Sequence, residues 1–246
     1  MKAVFSQEDS AVLRTLRQVG DTLYERVLFK THFIKPGEDI AEVISQYTTD
    51  YLQDGDVIFV SDKAVANSQK RAIHSDDIKP GFFARFLCRF VAVSPAGMGI
   101  GTPQKMQVAI QQAGLLRILF AAFVSVITKL FGIKGVFYKI AGDTVTRIDG
   151  KAGYKNWTGP KGPYWEYVVL PSENPTQVAE RIQAVTGYPA IVADINDLDG
   201  YITGYSEDKL IEWDFRSILK DNPMGQENNQ TPIGIIRVSR AVAAEM

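Results

Sequence analysis

With 246 residues, 46% of them hydrophobic and 22% charged, the chain has an ordinary globular composition and can bury one large core or two smaller ones. Its formal net charge of −1 excludes a protein held to nucleic acid by bulk positive charge. A single cysteine, Cys88, excludes an internal disulfide and fits a reducing compartment; its apolar neighbours Leu87 and Phe90 mark a buried, inert thiol. The opening MKAVFSQEDSAVL lacks the apolar core of a signal peptide, so a cytoplasmic protein is expected.

Charge is spread unevenly along the chain. From residue 78 to 142 there is no Asp or Glu, while Lys79, Arg85, Arg89, Lys105, Arg117, Lys129, Lys134 and Lys139 give +8. The remainder carries 19 basic against 28 acidic residues, or −9. Such a stretch complements an anionic ligand, a lipid surface, or the acidic remainder of its own chain.

In chain order, Val12, Leu16 and Val19 share one face at helical spacing, predicting a short helix over 10–19. Residues 23–34 alternate, with Val27, Phe29, Thr31 and Phe33 on one side, predicting a strand. Lys35-Pro36-Gly37 then turns the chain, and Glu38 and Asp39 fall in the first turn of a helix, where the dipole favours carboxylates. That helix carries Ile40, Val43, Ile44, Tyr47 and Tyr51 on its apolar face. Asp54-Gly55-Asp56 leads into a buried strand, Val57-Ile58-Phe59-Val60, with Asp62 and Lys63 emerging from its carboxyl end. Ligands of α/β sheets collect at such ends.

Residues 86–93 read as another apolar strand, followed by Gly97, Gly99 and Gly101. This is not a dinucleotide fingerprint, because Thr102 stands where the third glycine belongs and no acid follows to hold a ribose. A flexible turn or lid is expected instead. Residues 113–131, AGLLRILFAAFVSVITKLF, are the most apolar segment. Their uninterrupted core, 118–127, is half of the ~20 residues needed to span a bilayer, and Arg117 and Lys129 bracket it. A buried or subunit-interface helix and an interfacial membrane helix both fit.

Residues 150–165 form a Gly/Pro/aromatic-rich loop whose rings either stack on a ligand or pin the loop to the core. A strand follows at 167–170, then a helix opened by Asn174 as N-cap and Pro175, with Val178, Ile182 and Val185 facing the core and Gly187 as its stop. Residues 189–193 form a strand that delivers Asp194, Asn196, Asp197 and Asp199 at its end. Those oxygens suit either a hard cation such as Mg²⁺ or Mn²⁺ or an Asx-rich turn. Leu210, Ile211, Phe215, Ile218 and Leu219 recur at helical spacing until Pro223 forbids continuation. The amide-rich loop after it, up to the strand Ile233-Gly234-Ile235-Ile236-Arg237, either aims N–H groups at a phosphate or is a solvated connection.

Three separated stretches resemble the GTP-dependent gamma-glutamyl ligase of coenzyme F-420 biosynthesis. The first is Phe33-Ile34-Lys35-Pro36-Gly37-Glu38-Asp39-Ile40-Ala41-Glu42 with Asp54-Gly55-Asp56-Val57, similar to the family's L-I-K-x-G-D-D-L-A-E and D-G-D-V. The second runs from Leu170-Pro171-Ser172-Glu173-Asn174-Pro175 to Ile191-Val192-Ala193-Asp194, similar to L-P-x-D-P-D, a helix and I-I-T-D-T. The third is Met224-Gly225-Gln226 to Pro232 and Arg237, similar to M-G-E…P-x-V-V-x-R. The family's S-K-A-E-G lysine is Asn67 here, the threonine after the aspartate is Ile195, and the N-A-G-I-D-x-S-N motif survives only as Ile148-Asp149-Gly150.

The resemblance implies one mixed α/β domain over 1–246, a sheet with packed helices, extended at 1–28 and divergent in the apolar, basic stretch 78–142, and an intertwined homodimer. It places GTP against Phe33, Ile34, Asp62, Lys63, Gly225, Gln226, Asn228, Asn229 and Gln230, and Mg²⁺ or Mn²⁺ on Asp194, Asp197 and Asp149. No catalytic side chain is assigned. The implied reaction joins a glutamate-like amine to a small-molecule carboxylate, with no nucleic acid involved. The alternatives are a non-catalytic binder of a nucleotide or other anion on the same fold, and an interaction protein docking to a membrane or partner through 113–131.

Overall fold

In a computed structural model, the described residues are 11–91, 99–150, 165–195, 200–225 and 229–239. The chain divides into two compact units, Met1–Lys70 with Ser172–Met246, and Arg71–Pro171.

In the first unit the chain forms β1 (Val12–Val19), β2 (Thr22–Phe29), α1 (Ile40–Thr48), β3 (Val57–Ser61) and α2 (Asp62–Ser68). In the second it forms β4 (Ala72–His74), α3 (Phe82–Leu87), α4 (Pro103–Ala113), α5 (Leu115–Leu130), α6 (Val136–Ala141), α7 (Asp143–Thr146), β5 (Asp149–Gly150) and β6 (Tyr167–Val169). It returns to the first through α8 (Pro175–Thr186), β7 (Ala190–Ile195), β8 (Gly200–Tyr205), α9 (Phe215–Ile218) and β9 (Ile233–Val238).

The first unit is built on a six-stranded mixed sheet, ordered β1-β2-β9-β3-β7-β8. Only β3 and β7 run parallel; the other neighbours are antiparallel. The strands predicted at 57–60, 189–193 and 233–237 are therefore three adjacent members of one sheet. Alternation along them sorts their side chains onto two faces. Val27, Phe29, Ile58, Val60, Ala190, Val192, Ile233 and Ile235 pack with α1 and α8. Leu28, Val57, Phe59, Ile191, Ala193 and Ile236 pack with Leu210, Phe215, Ile218, Leu219 and Met224. Gly234 is required where β9 crosses Phe59, since a Cβ there would collide with that ring and lie 2.8 Å from the Val27 carbonyl.

The second unit carries a three-stranded antiparallel sheet, β4-β6-β5, and its own core from Ile78 to Leu170, with Met106, Val108, Ile118 and Val168 fully buried. Thr102, where a dinucleotide fingerprint would need glycine, caps α4 instead: its hydroxyl accepts from the Lys105 N–H, and Pro103 takes the first helical position. Residues 92–98, with Gly97, lie outside the described residues. So does most of the aromatic loop, 151–164. Cys88 is buried, which pushes its thiol up from the ordinary value.

Several expectations are corrected. The helix expected over 10–19 is replaced, over its described part, by a strand: Val12–Val19 is β1, paired with β2 through a two-residue Gly20-Asp21 loop in which Gly20 takes φ 57°. The pairing partner decided this, since eight residues of β2 offered a complete ladder to a segment too short to hold a helix alone. Residues 86–93 do not form a strand over 86–90. Phe82–Leu87 is helical and Cys88–Phe90 a 3-10 turn, with Ala84, Leu87 and Cys88 inward at helical spacing. The helix predicted through 210–219 is broken into a 3-10 turn, Asp208–Glu212, and α9, because Asp214 caps the Ser217 N–H at 3.1 Å and restarts the chain. Asp39 is the N-cap of α1 rather than a first-turn residue, accepting from the Ala41 N–H. Asn174 occupies the cap position of α8 in a left-handed conformation, but its side chain makes no cap hydrogen bond.

One ion pair secures the end of the sheet where β3 begins. Asp56, fully buried, accepts two 2.8 Å hydrogen bonds from the Arg237 guanidinium on β9. The same guanidinium donates to the Tyr51 carbonyl at 2.8 Å, and Asp56 also takes the Gln53 N–H. Direct hydrogen bonding to Asp56 raises the Arg237 pKa. Removing one charge from such a pair strands the other, at a cost of about 3 kcal/mol. Asp56→Asn is therefore expected to lower unfolding free energy by about that amount in urea. A change within experimental error would show that the pair contributes nothing net.

Candidate functional site

Strand register gathers the polar segments of the first unit at one end of its sheet. Phe29 pairs with Ile233, Val60 with Ile233, Ser61 with Ala193, and Ile195 with Gly200. The chain therefore leaves β2, β3 and β7 and enters β8 and β9 at a common edge. Backbone bonds lock these exits together: Thr31 N–H donates to Gln230 O at 2.9 Å, and Ser61 N–H to Pro232 O at 2.8 Å. Phe33, Ile34, Lys63, Asp194, Asn229 and Gln230 thus belong to one rim, reached from four distant parts of the sequence.

Asp62 is the buried keystone of this rim. Its carboxylate accepts from the Ser172 N–H at 3.2 Å and from the Ser172 hydroxyl, and Thr203 Oγ1 lies 3.2 Å away. Thr203 Oγ1 is also 3.2 Å from the Val192 carbonyl, so the cluster ties the exit of β3 to β7 and β8. Only 5% of Asp62 is exposed, whereas Lys63 beside it faces solvent. Ser172 and Thr203 were not singled out by sequence; a small hydroxyl residue carries no pattern until its acceptor is known.

Asn67, standing where the family's motif has lysine, is also internal. It is 1% exposed, and its Nδ2 donates to the Ile34 carbonyl, holding the 31–34 segment against α2. Further along that segment, Glu38 accepts the Lys35 N–H at 2.6 Å and lies 3.1 Å from His32 Nε2. The Lys35 N–H is the main reason the Glu38 carboxyl is held below its ordinary value.

The loop before β9 is shaped by its own backbone. Thr231 Oγ1 donates to the Met224 carbonyl at 2.6 Å, and Gly225 N–H to Asn222 O at 2.9 Å. Gly225 takes φ 71°, a left-handed conformation that favours glycine, and a Cβ there would displace the exposed Asn229 side chain. Asp221 anchors the loop to the sheet through a two-pronged pair with Arg26, which is 2% exposed and also donates to Ile218 O at 2.9 Å. Gln226 and Asn228 lie outside the described residues.

Of the three expected metal ligands, Asp194 sits on the rim, paired in register with Tyr201. Asp197 lies outside the described residues, and Asp149 belongs to the other unit, exposed on β5 opposite Val169. No group of three or more His, Cys, Asp or Glu able to hold a metal occurs among the described residues. Asp194 is a hard oxygen donor suited to Mg²⁺ or Mn²⁺, but the described residues alone do not complete a site.

Comparison with known families decides what this frame is. The model of the F420-0:Gamma-glutamyl ligase family matches residues 29–186, more than half of the chain. The chain belongs to that family. The matched span takes in Phe33, Ile34, Asp62, Lys63 and Asp149, and stops short of Asp194 and the 225–230 loop. The ligase family is thus represented here by a frame whose last two rim segments lie outside the matched region. No curated protein matches the chain.

The Arg26–Asp221 pair yields a pH test. Burial pushes the Asp221 carboxyl up, but the hydrogen bonds and charge of Arg26 outweigh this and leave it below 3.8. A depressed carboxyl contributes stability that is fully present above pH 3.8 and lost as pH falls through the lower folded value. Asp221→Asn should therefore lower stability at neutral pH and flatten part of the acid limb of the stability–pH curve. An unchanged acid limb would mean that the pair does not couple to folding.

Proposed function

We propose that the chain is a divergent nucleotide-dependent amide ligase of the gamma-glutamyl type, using GTP to join a glutamate-like amine to a small-molecule carboxylate. One observation carries this reading: a chain of the ligase family brings its expected nucleotide residues, Phe33, Ile34, Lys63, Asn229 and Gln230, to one end of one sheet. In the reaction, a carboxylate oxygen of the acceptor attacks the γ-phosphorus of GTP and GDP leaves. The amine of the donor then attacks the acyl phosphate, releasing inorganic phosphate and a proton as the amide forms. Lys63 faces the phosphates and offers a positive charge to their oxygens. Asn229 and Gln230 present amide donors to the nucleotide, and Gln226 and Asn228 would join them; Gly225 and Thr231 fix the described ends of this segment. Asp62 is a positioning residue that fixes the turn carrying Lys63. Asp194 with Asp197 would hold Mg²⁺ or Mn²⁺, which supplies neutralisation of phosphate charge when bound.

A second reading, a nucleotide binder without catalysis, is favoured by Asn67. Where the family's lysine would bring a charge, its buried amide is used on the Ile34 carbonyl. Calorimetric titration of GTP and ATP in the presence of Mg²⁺ or Mn²⁺ tests both. GTP binding that requires the metal, and that Asp194→Asn weakens about tenfold or more while the melting temperature holds, is expected. Binding indifferent to metal and to Asp194→Asn would overturn the site. Intact binding with no GDP formed, when carboxylate and amine substrates are supplied, would select the non-catalytic reading.

A further inference from the structure

The second unit contains a helix whose polarity is reversed with respect to its surroundings. In α5, Ile118 and Ala121 face the core and are fully buried. The opposite stripe, Leu116, Phe120, Phe123, Ile127 and Leu130, recurs at three- and four-residue spacing and faces solvent. Leu116 is 83% exposed, Phe120 58%, Phe123 64% and Leu130 82%. A helix packed on a globular core normally turns polar residues outward. Here large apolar side chains project instead, flanked by exposed Arg117 and Lys129. On α3 and the turn after it, in the same unit, Phe82, Phe86 and Phe90 are also exposed and touch in succession, Phe82 stacked on Phe86 at 6.1 Å and Phe90 edge-on to Phe86 at 5.1 Å. Exposed apolar surface of this extent marks an interaction site rather than ordinary surface scatter.

We propose that this apolar surface docks the protein peripherally onto an anionic lipid bilayer, with α5 lying in the interface plane. Charge selects the occupant. The unit Arg71–Pro171 carries 13 basic against 5 acidic residues, a formal +8, and between residues 78 and 142 there is no acid at all. A second copy of the chain, the occupant expected from the family's homodimer, would bring an equally basic, acid-free surface against this one. Anionic headgroups instead meet Lys129, Lys134 and Lys139, all exposed. Phenylalanine and leucine on one face, with basic residues near both ends of the helix, is the pattern of an interfacial helix. The 16 residues of α5 reach about 24 Å, short of the ~30 Å of a hydrocarbon core, and α4 meets it at a 113° bend. No single helix among the described residues is long and apolar enough to cross a membrane. Contact along the surface, not across it, is the geometry this helix permits. This proposal does not rest on the ligase reading.

The test is flotation of the full chain with vesicles of equimolar phosphatidylcholine and phosphatidylglycerol, and with vesicles of phosphatidylcholine alone. The chain should float with the anionic vesicles and lose about tenfold or more of that binding in Phe120→Glu/Phe123→Glu. Both positions are exposed, so the fold should survive, as circular dichroism would confirm. Lys129→Glu/Lys134→Glu, which leaves the apolar stripe whole, should reduce binding to anionic vesicles and remove its sensitivity to salt. Failure to float with anionic vesicles, equal flotation with phosphatidylcholine alone, or flotation of either variant equal to that of the unaltered chain would overturn the proposal. So would a dimer in sedimentation equilibrium that Phe120→Glu/Phe123→Glu dissociates while vesicles are ignored, because the stripe would then be an interface between copies.

Discussion

The first unit depends on β3 being buried on both faces. Val57, Ile58, Phe59 and Val60 are each at most 2% exposed, so no face of that strand can be left to water. A strand of this kind needs a partner on each edge and a cover on each side. It gets β9 and β7 as neighbours, α1 and α8 over one face, and the segment from Leu210 to Met224 over the other. With β3 sealed along its length, the polar groups beside it gather where that strand begins and ends. Asp56 with Arg237 secures one end, and Asp62 with Ser172 and Thr203 the other.

This arrangement separates two roles within the segments that resemble the family's motifs. The last aspartate of Asp54-Gly55-Asp56 and the arginine closing the third stretch are partners in one buried ion pair, far along the strands from the rim. Asp62, at the rim, spends its carboxylate on holding the β3 exit to β7 and β8. What the rim presents outward is Lys63, Asn229 and Gln230, whose residues are exposed, together with the half-buried Asp194. A motif read as nucleotide-binding is thus largely the frame that sets a few outward groups in place.

The strands carrying this frame were legible because continuous apolar runs bounded by turns have few alternatives: 57–60, 189–193 and 233–237 all occur where expected. Register was not legible, and register is what brings Ile34, Lys63, Asp194 and Gln230 to one edge. β1 was misread because Val12, Leu16 and Val19 suit a helix face as well as a partly exposed edge strand, and only the β2 ladder chooses between them. The segment 86–90 failed for the complementary reason: its phenylalanines made an apolar run, yet Phe82, Phe86 and Phe90 are outward at four-residue spacing. The apolar character of 113–131 was plain, but composition cannot say which face turns inward. The hydroxyls of Ser172 and Thr203 gave no signal, since their role exists only opposite Asp62.

Paramagnetic broadening of backbone amides by substoichiometric Mn²⁺, with GTP present, tests the proposed nucleotide–metal site at the rim most directly. The rim as assigned predicts selective loss of the Ser61, Lys63, Ala193 and Asp194 amide signals, with Val19 and Thr22 at the far end of the β1–β2 ladder unaffected, and no such loss in Asp194→Asn. Broadening centred on other residues, or persisting unchanged in Asp194→Asn, would contradict the assignment.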